Sequence, residues 1–270
     1  MSTARTGRSA WLPGFNAAGL VTAAGILVVW QLLVSTKVVD FLFLPGPLAI
    51  AGRMPELLAS ADFHEQFLHT LTYSLSGWGI GAGIGIVVGS LFGLSRLADQ
   101  WAMTSVTVVR LIPAIALLPI TALIFGLSSS MELVLVTYVA VWPVLVSVAG
   151  GIRTVEPLLR DVARTLHLRW FRELGQVVLP SAIGPILVGL RLSLSSAFVV
   201  AIVTEMIGNP AGLGNSLNNA RNAMQPELTF CYIVVIGVTA VAANAVFNAL
   251  SRWAGRGSSA RKVDDRLGVA

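Results

Sequence analysis

"LHTLTYSLSGWGIGAGIGIVVGSLFGL" runs from Leu68 to Leu94. It exceeds the roughly 20 mostly apolar residues that a helix needs to cross a bilayer. Gly77, Gly81, Gly85, Gly89 and Gly93 recur in it at a strict interval of four. That interval keeps them on one helix face, and a face without side chains lets a neighbouring backbone approach closely. Gly79 and Gly83 widen the smooth surface. Two uses of the column stay open: packing between helices of one subunit, or a face that moves or meets a second subunit.

The whole chain agrees with a membrane reading. Of its 270 residues, 55% are hydrophobic and 11% charged, against about a quarter charged in a soluble domain. We read an all-α polytopic membrane protein with six transmembrane helices. The apolar stretches are about Ala17–Ser35, Leu68–Leu94, Trp101–Phe125, Met131–Ile152, Ser181–Ile207 and Leu228–Trp253. The chain then divides into a tail over 1–16, a first transmembrane helix over 17–35, a linker over 36–67, a five-helix core over 68–253 and a tail over 254–270. The first span is expected to be an uncleaved anchor, because its apolar run is long and no small-x-small site follows it. "LPGPLAIAGRMPELL" (Leu44–Leu58) suits an outside loop with a short surface helix. The single cysteine, Cys231, lies in an apolar run and reads as a buried thiol.

Lys and Arg are distributed unevenly. With both termini inside, the inner segments hold thirteen and the outer ones only Lys37, Arg53 and Arg221. The bias places both termini in the cytoplasm. It also accounts for the net charge of +5 as a topology signal, which removes the case for nucleic-acid binding.

Catalytic patterns are missing. "HEQFLH" (His64–His69) spaces its histidines by five, so they project about 140° apart on a helix, unlike the zinc motif HExxH. No metal site is expected. Neither Lys37 nor Lys262 follows a glycine, so there is no phosphate-binding P-loop, and GxSxG is absent. The chain reads as a conduit that binds no cofactor. In "RLIPAIALLPITALIFG" (Arg110–Gly126), Pro113 and Pro119 are expected to bend the third span. Three charges within or at the edges of the spans, Arg110, Arg191 and Glu205, are candidates for a pathway or gate together with Pro113, since a charge at membrane depth should face protein or water. The Gly-, Asn- and Pro-rich segment Asn209–Glu227 reads as an outside loop above Glu205.

One long polar stretch interrupts this apolar chain: "DVARTLHLRWFRELGQVVLP" (Asp161–Pro180), within the inner loop over 153–180. Val162, Leu166, Trp170, Leu174 and Val177 form an apolar stripe at helical spacing. By periodicity alone it is a helix lying on the membrane surface or docking on a partner. The stretch resembles the cytoplasmic signature of binding-protein-dependent ABC importer permeases: EAA, three residues, Gly, nine residues, an aliphatic residue, one residue, Leu-Pro. Asp161-Val162-Ala163 stands for EAA, His167 for the glycine, and Val177, Leu179 and Pro180 fall at the expected offsets. "FLPGP" (Phe43–Pro47), "VRLIPAIALLPI" (Val109–Ile120), "LPSAIGPILVGLRLSLSSAF" (Leu179–Phe198), "TEMIG" (Thr204–Gly208) and "GLGNSLNNAR" (Gly212–Arg221) are similar to family segments in the same order. The branch resembled imports nitrate, sulfonates, taurine and related small solutes.

The resemblance implies a six-span permease in a prokaryotic inner membrane. It implies two cytoplasmic ABC ATPase subunits that bind ATP and Mg, an extracytoplasmic binding protein, and a second permease copy, a homodimer being the common closed assembly. It assigns ATPase coupling to Asp161, Val162, Ala163, Arg164, Leu166, His167 and Arg169. The alternative is an ion-coupled secondary transporter working without an ATPase, for which no internal repeat is evident. The coupling assignment is testable at the small Ala163. Ala163→Glu is expected to leave insertion and dimerisation intact and to abolish capture of the ATPase in detergent, because an unpaired buried charge costs about 3–5 kcal/mol. Full ATPase recovery with normal uptake would contradict it.

Overall fold

The computed structural model describes residues 17–36, 43–156, 158–159, 165–167 and 169–257. Among these residues every regular element is helical. The main helices are α1 (Ala17–Ser35), α2 (Pro47–Ala59), α3 (Ala61–Leu94), α4 (Arg96–Arg110), α5 (Leu118–Phe125), α6 (Ser129–Arg153), α7 (Ile183–Ile207), α8 (Leu213–Asn222) and α9 (Pro226–Gly257).

The glycine column decides how these helices meet. A β-carbon on Gly77 would lie 2.6 Å from Val136 Cγ1, and one on Gly81 2.7 Å from Ala140 Cβ. On Gly85, Gly89 and Gly93 it would meet Val144, Val148 and Ile152 at 2.7–2.9 Å. The partners also recur every four residues, so two ladders interlock along α3 and α6. Thr137 adds a hydrogen bond to the Gly77 carbonyl at 3.3 Å. Gly79 and Gly83 have nothing within 4 Å and lie off this seam, contrary to the expectation that they widen it. They differ from the column by two residues, about 200° around the helix.

Residue numbers rise together along the seam, so α3 and α6 run parallel. Over the sixteen residues from Gly77 to Gly93 the contact is about 24 Å long at 1.5 Å per residue. The chain between them must therefore travel back along its full length. α7 packs on α6 in the opposite sense: Gly151 meets Pro185, Ser193 Oγ donates to the Ala140 carbonyl at 2.7 Å, and Gly208 meets Met131. α6 is thus gripped from two sides, and Val136, Ala140, Val144 and Val148 are fully buried. α9 lies against α7 and α3 through Ser195–Asn244 and the edge-on ring pair Trp78–Phe247.

The return segment over Trp101–Phe125 is expected to bend at its prolines, and the bend is a break between helices. α4 ends at Arg110, a 3₁₀ turn forms over Ala114–Leu117, and α5 follows, with a bend of 77°. Both prolines sit where a missing N–H costs little. Pro113 precedes the 3₁₀ turn in extended conformation, and Pro119 lies in the first turn of α5. Tyr138 of α6 donates to the Val109 carbonyl at 2.9 Å, an acceptor at the break.

The second span is also longer than expected. α3 starts at Ala61 because Ser60 caps it, its hydroxyl accepting from the Phe63 amide at 3.2 Å. His64 and His69 therefore lie on this helix. α2 occupies the linker, with Ile50 and Leu57 turned inward. Of the six crossings expected, four helices among the described residues (α3, α6, α7 and α9) are long and apolar enough to cross a membrane, and the bent pair makes five if it counts as one. Val21–Ser35, within α1, is a shorter apolar helix.

The seam predicts a matched contrast. A methyl on Gly81 meets the Thr137 carbonyl and the Val141 amide as well as Ala140, so backbone must shift. Gly81→Ala should lower stability in detergent by about 1–3 kcal/mol, whereas Gly79→Ala should hold or raise the unfolding midpoint. Equal midpoints would contradict the packing.

Candidate functional site

A cavity of about 680 Å³ lies between α7 and α9. Its polar groups come from both walls in helical pairs: Arg191 and Ser195 from α7, Asn244 and Asn248 from α9. Residues four apart share a face, so each pair points the same way. Ser195 Oγ donates to Asn244 Oδ1 at 3.2 Å, and Asn244 Nδ2 donates to the Ala240 carbonyl at 3.0 Å. The rest of the lining is mostly apolar, including Phe198, Val199 and Ile236. A guanidinium offers five donors and no acceptor, so this wall suits a small anion. Thr70 and Leu213 close the cavity toward the opposite end of the bundle.

Behind Thr70 is a buried polar cluster. The turn after α7 presents three successive amides, and three side chains accept them. Gln66 Oε1 takes Gly212 N at 2.6 Å, Thr70 Oγ1 takes Leu213 N at 2.8 Å, and Glu205 Oε2 takes Gly214 N at 2.8 Å. Thr70 also donates to Glu205 Oε1 at 2.7 Å. These amides start α8, where unpaired donors and the helix dipole favour negative charge. Gly212 has φ of +97° and its missing side chain makes room for the Glu205 carboxyl, so a side chain there is strained and collides. On the far side, Asn209 Nδ2 donates to Glu132 Oε2 at 2.6 Å, and His69 Nε2 is 3.2 Å from the same oxygen.

The structure treats the candidate residues unequally. Arg191 lines the cavity, while Glu205 is 1% exposed beneath the turn into α8. Arg110 and Pro113 lie on the exposed bent segment and are not brought to either place. Asp161, Val162, Ala163 and Arg164 lie outside the described residues. Leu166, His167 and Arg169 are exposed. His167 has φ of +48°, so the position matched to a family glycine does adopt the left-handed conformation glycine favours. A π-helical turn over Leu174–Val178 then leads into Leu179-Pro180 and α7.

The fold brings Glu132 and His69, which the sequence reading leaves aside, into the buried polar cluster. Glu132 carries a signal of its own, an acid just inside the expected span Met131–Ile152. His69 is dismissed by the HExxH test, which considers only partners on one helix. Its partners come from α6 and from the segment after α7.

Comparison with known proteins points to one family. The model of the binding-protein-dependent transport system inner membrane component matches residues 81–259. SsuC of Bacillus subtilis (strain 168), the permease protein ascribed to aliphatic sulfonates transport, is 30% identical over 87% of this chain and 85% of its own length. The bicarbonate transport system permease protein CmpB of Synechococcus elongatus is 28% identical over 85% of this chain and 86% of its own. Among solved structures, a chain of the MetNI methionine ABC transporter in an inward-facing conformation superposes with a TM-score of 0.63 at 20% identity, covering 74% of this chain and 96% of that one. These matches set aside the ion-coupled alternative and imply an ATPase and a binding protein as partners. The chain belongs to the binding-protein-dependent transport system inner membrane component family and is the multi-pass, non-catalytic permease subunit of an ABC importer.

Proposed function

We propose that this permease carries a small oxyanion, of the sulfonate, nitrate or bicarbonate kind, past Arg191. The cavity that Arg191 lines with Ser195, Asn244 and Asn248 is the observation behind this reading. The relatives named for aliphatic sulfonates and bicarbonate support it, since both solutes present anionic oxygens. A guanidinium binds such groups through a planar fork of donors.

The pathway needs a second wall, and we assign it to a second copy of the chain. The bent segment α4–α5 serves as one crossing, because the parallel seam requires a return, and α1 supplies the sixth. The Lys and Arg bias supports a cytoplasmic position for the loop over 153–180 and for both termini. The amphipathic stretch from about Val155 to Gln176 docks on the ATPase and transmits its closure. Moving the permease from 1:99 to 99:1 between inward and outward states takes about 5.5 kcal/mol. No P-loop is present in this chain, so that energy enters through the docking surface.

Arg191 is tested in proteoliposomes holding the permease, its ATPase and its binding protein, with labelled methanesulfonate, taurine, nitrate and bicarbonate. Arg191→Gln is expected to slow uptake of the accepted anion about tenfold or more, with ATPase capture unchanged. Arg191→Lys should recover part of it, since lysine keeps the charge and loses the fork. Wild-type uptake by the glutamine variant would overturn the assignment.

A further inference from the structure

We propose that His69, Glu132 and Glu205 form a site for one divalent transition-metal ion of the zinc type. The site joins α3, α6 and α7 at the end of the bundle opposite the 153–180 loop. One ligand atom from each residue lies within 4.8 Å of the other two. A point equidistant from three atoms at that limit is about 2.8 Å from each, so a closure of about 0.7 Å reaches the roughly 2.1 Å of a zinc–nitrogen or zinc–oxygen bond. The oxygen and nitrogen ligands suit zinc, cobalt or manganese.

Two further observations point to a cation. Glu132 is fully buried, and its Oε1 has no hydrogen-bond partner. A buried acceptor without a partner is costly. Second, the cluster gathers two buried carboxyl groups, Glu132 and Glu205, around one basic group, the His69 imidazole beside Glu132. A divalent ion offsets both carboxylates and leaves the imidazole neutral as a ligand.

The surroundings fix two of the ligands. Thr70 and Gly214 N hold the two oxygens of Glu205, each of which keeps a free lone pair. Asn209 holds Glu132. An ion here would pin the turn 208–212, and with it α8, to the three packed helices.

The test uses the full-length permease in detergent, stripped with chelator and titrated with zinc or with cobalt as a spectroscopic stand-in. One saturable equivalent per chain is expected, with visible cobalt bands and a higher unfolding midpoint. His69→Gln and Glu132→Gln should each weaken binding about tenfold or more. Neither substitution changes side-chain size greatly, and the wild-type titration decides even if a variant fails to fold. Absence of saturable binding in the stripped wild type overturns the proposal. So does a midpoint that responds to pH and not to metal, which would assign protons to the cluster. Unchanged binding in both variants would place the metal elsewhere.

Discussion

The rest of this fold depends on how closely α3 and α6 approach. In lipid there is little hydrophobic gain from joining two helices, so packing has to hold them. Five glycines remove every β-carbon from one face of α3, and Val136, Ala140, Val144, Val148 and Ile152 fill the space. Once that parallel contact exists, a third segment must run back between its ends. The 77° break in α4–α5 is how two prolines shape that return. α7 then covers the other side of α6, and α9 lies beside it.

The bilayer sets a second constraint. Backbone groups at that depth need partners within the protein. At two of the places where helices give way, the irregular backbone has named donors or acceptors. Tyr138 reaches the carbonyls near the break after Arg110. Gln66, Thr70 and Glu205 take the three amides that open α8. Thr70 serves the polar cluster and the Arg191 cavity at once, so the two are neighbours through one buried hydroxyl.

Much of this was legible in the sequence because membrane helices are written locally. The apolar runs placed α1, α3, α6, α7 and α9 to within several residues, and the glycine interval marked a packing face. What that face meets was not legible, although the ladder from Val136 to Ile152 has the same interval. Prolines at positions 113 and 119 fit either a kink or a pair of helix starts, so the sequence predicts a bend without deciding between the two. The buried cluster joins residues up to 146 apart in the chain, Gly212 and Gln66, and no local motif contains that pairing. His167 shows the opposite case: the family pattern marks a turn, and the histidine is bent into it.

The interlocked ladders behave as a rack with a tooth every four residues, about 6 Å at 1.5 Å per residue. A smaller slide would drive a valine into the backbone between two glycines. Relative translation of α3 and α6 is therefore stepped, with no shallow intermediate positions. The two helices tilt as a single strut, and any change of shape along the bundle is left to the parts not so toothed: the break at Leu111–Pro113 and the gap between α7 and α9.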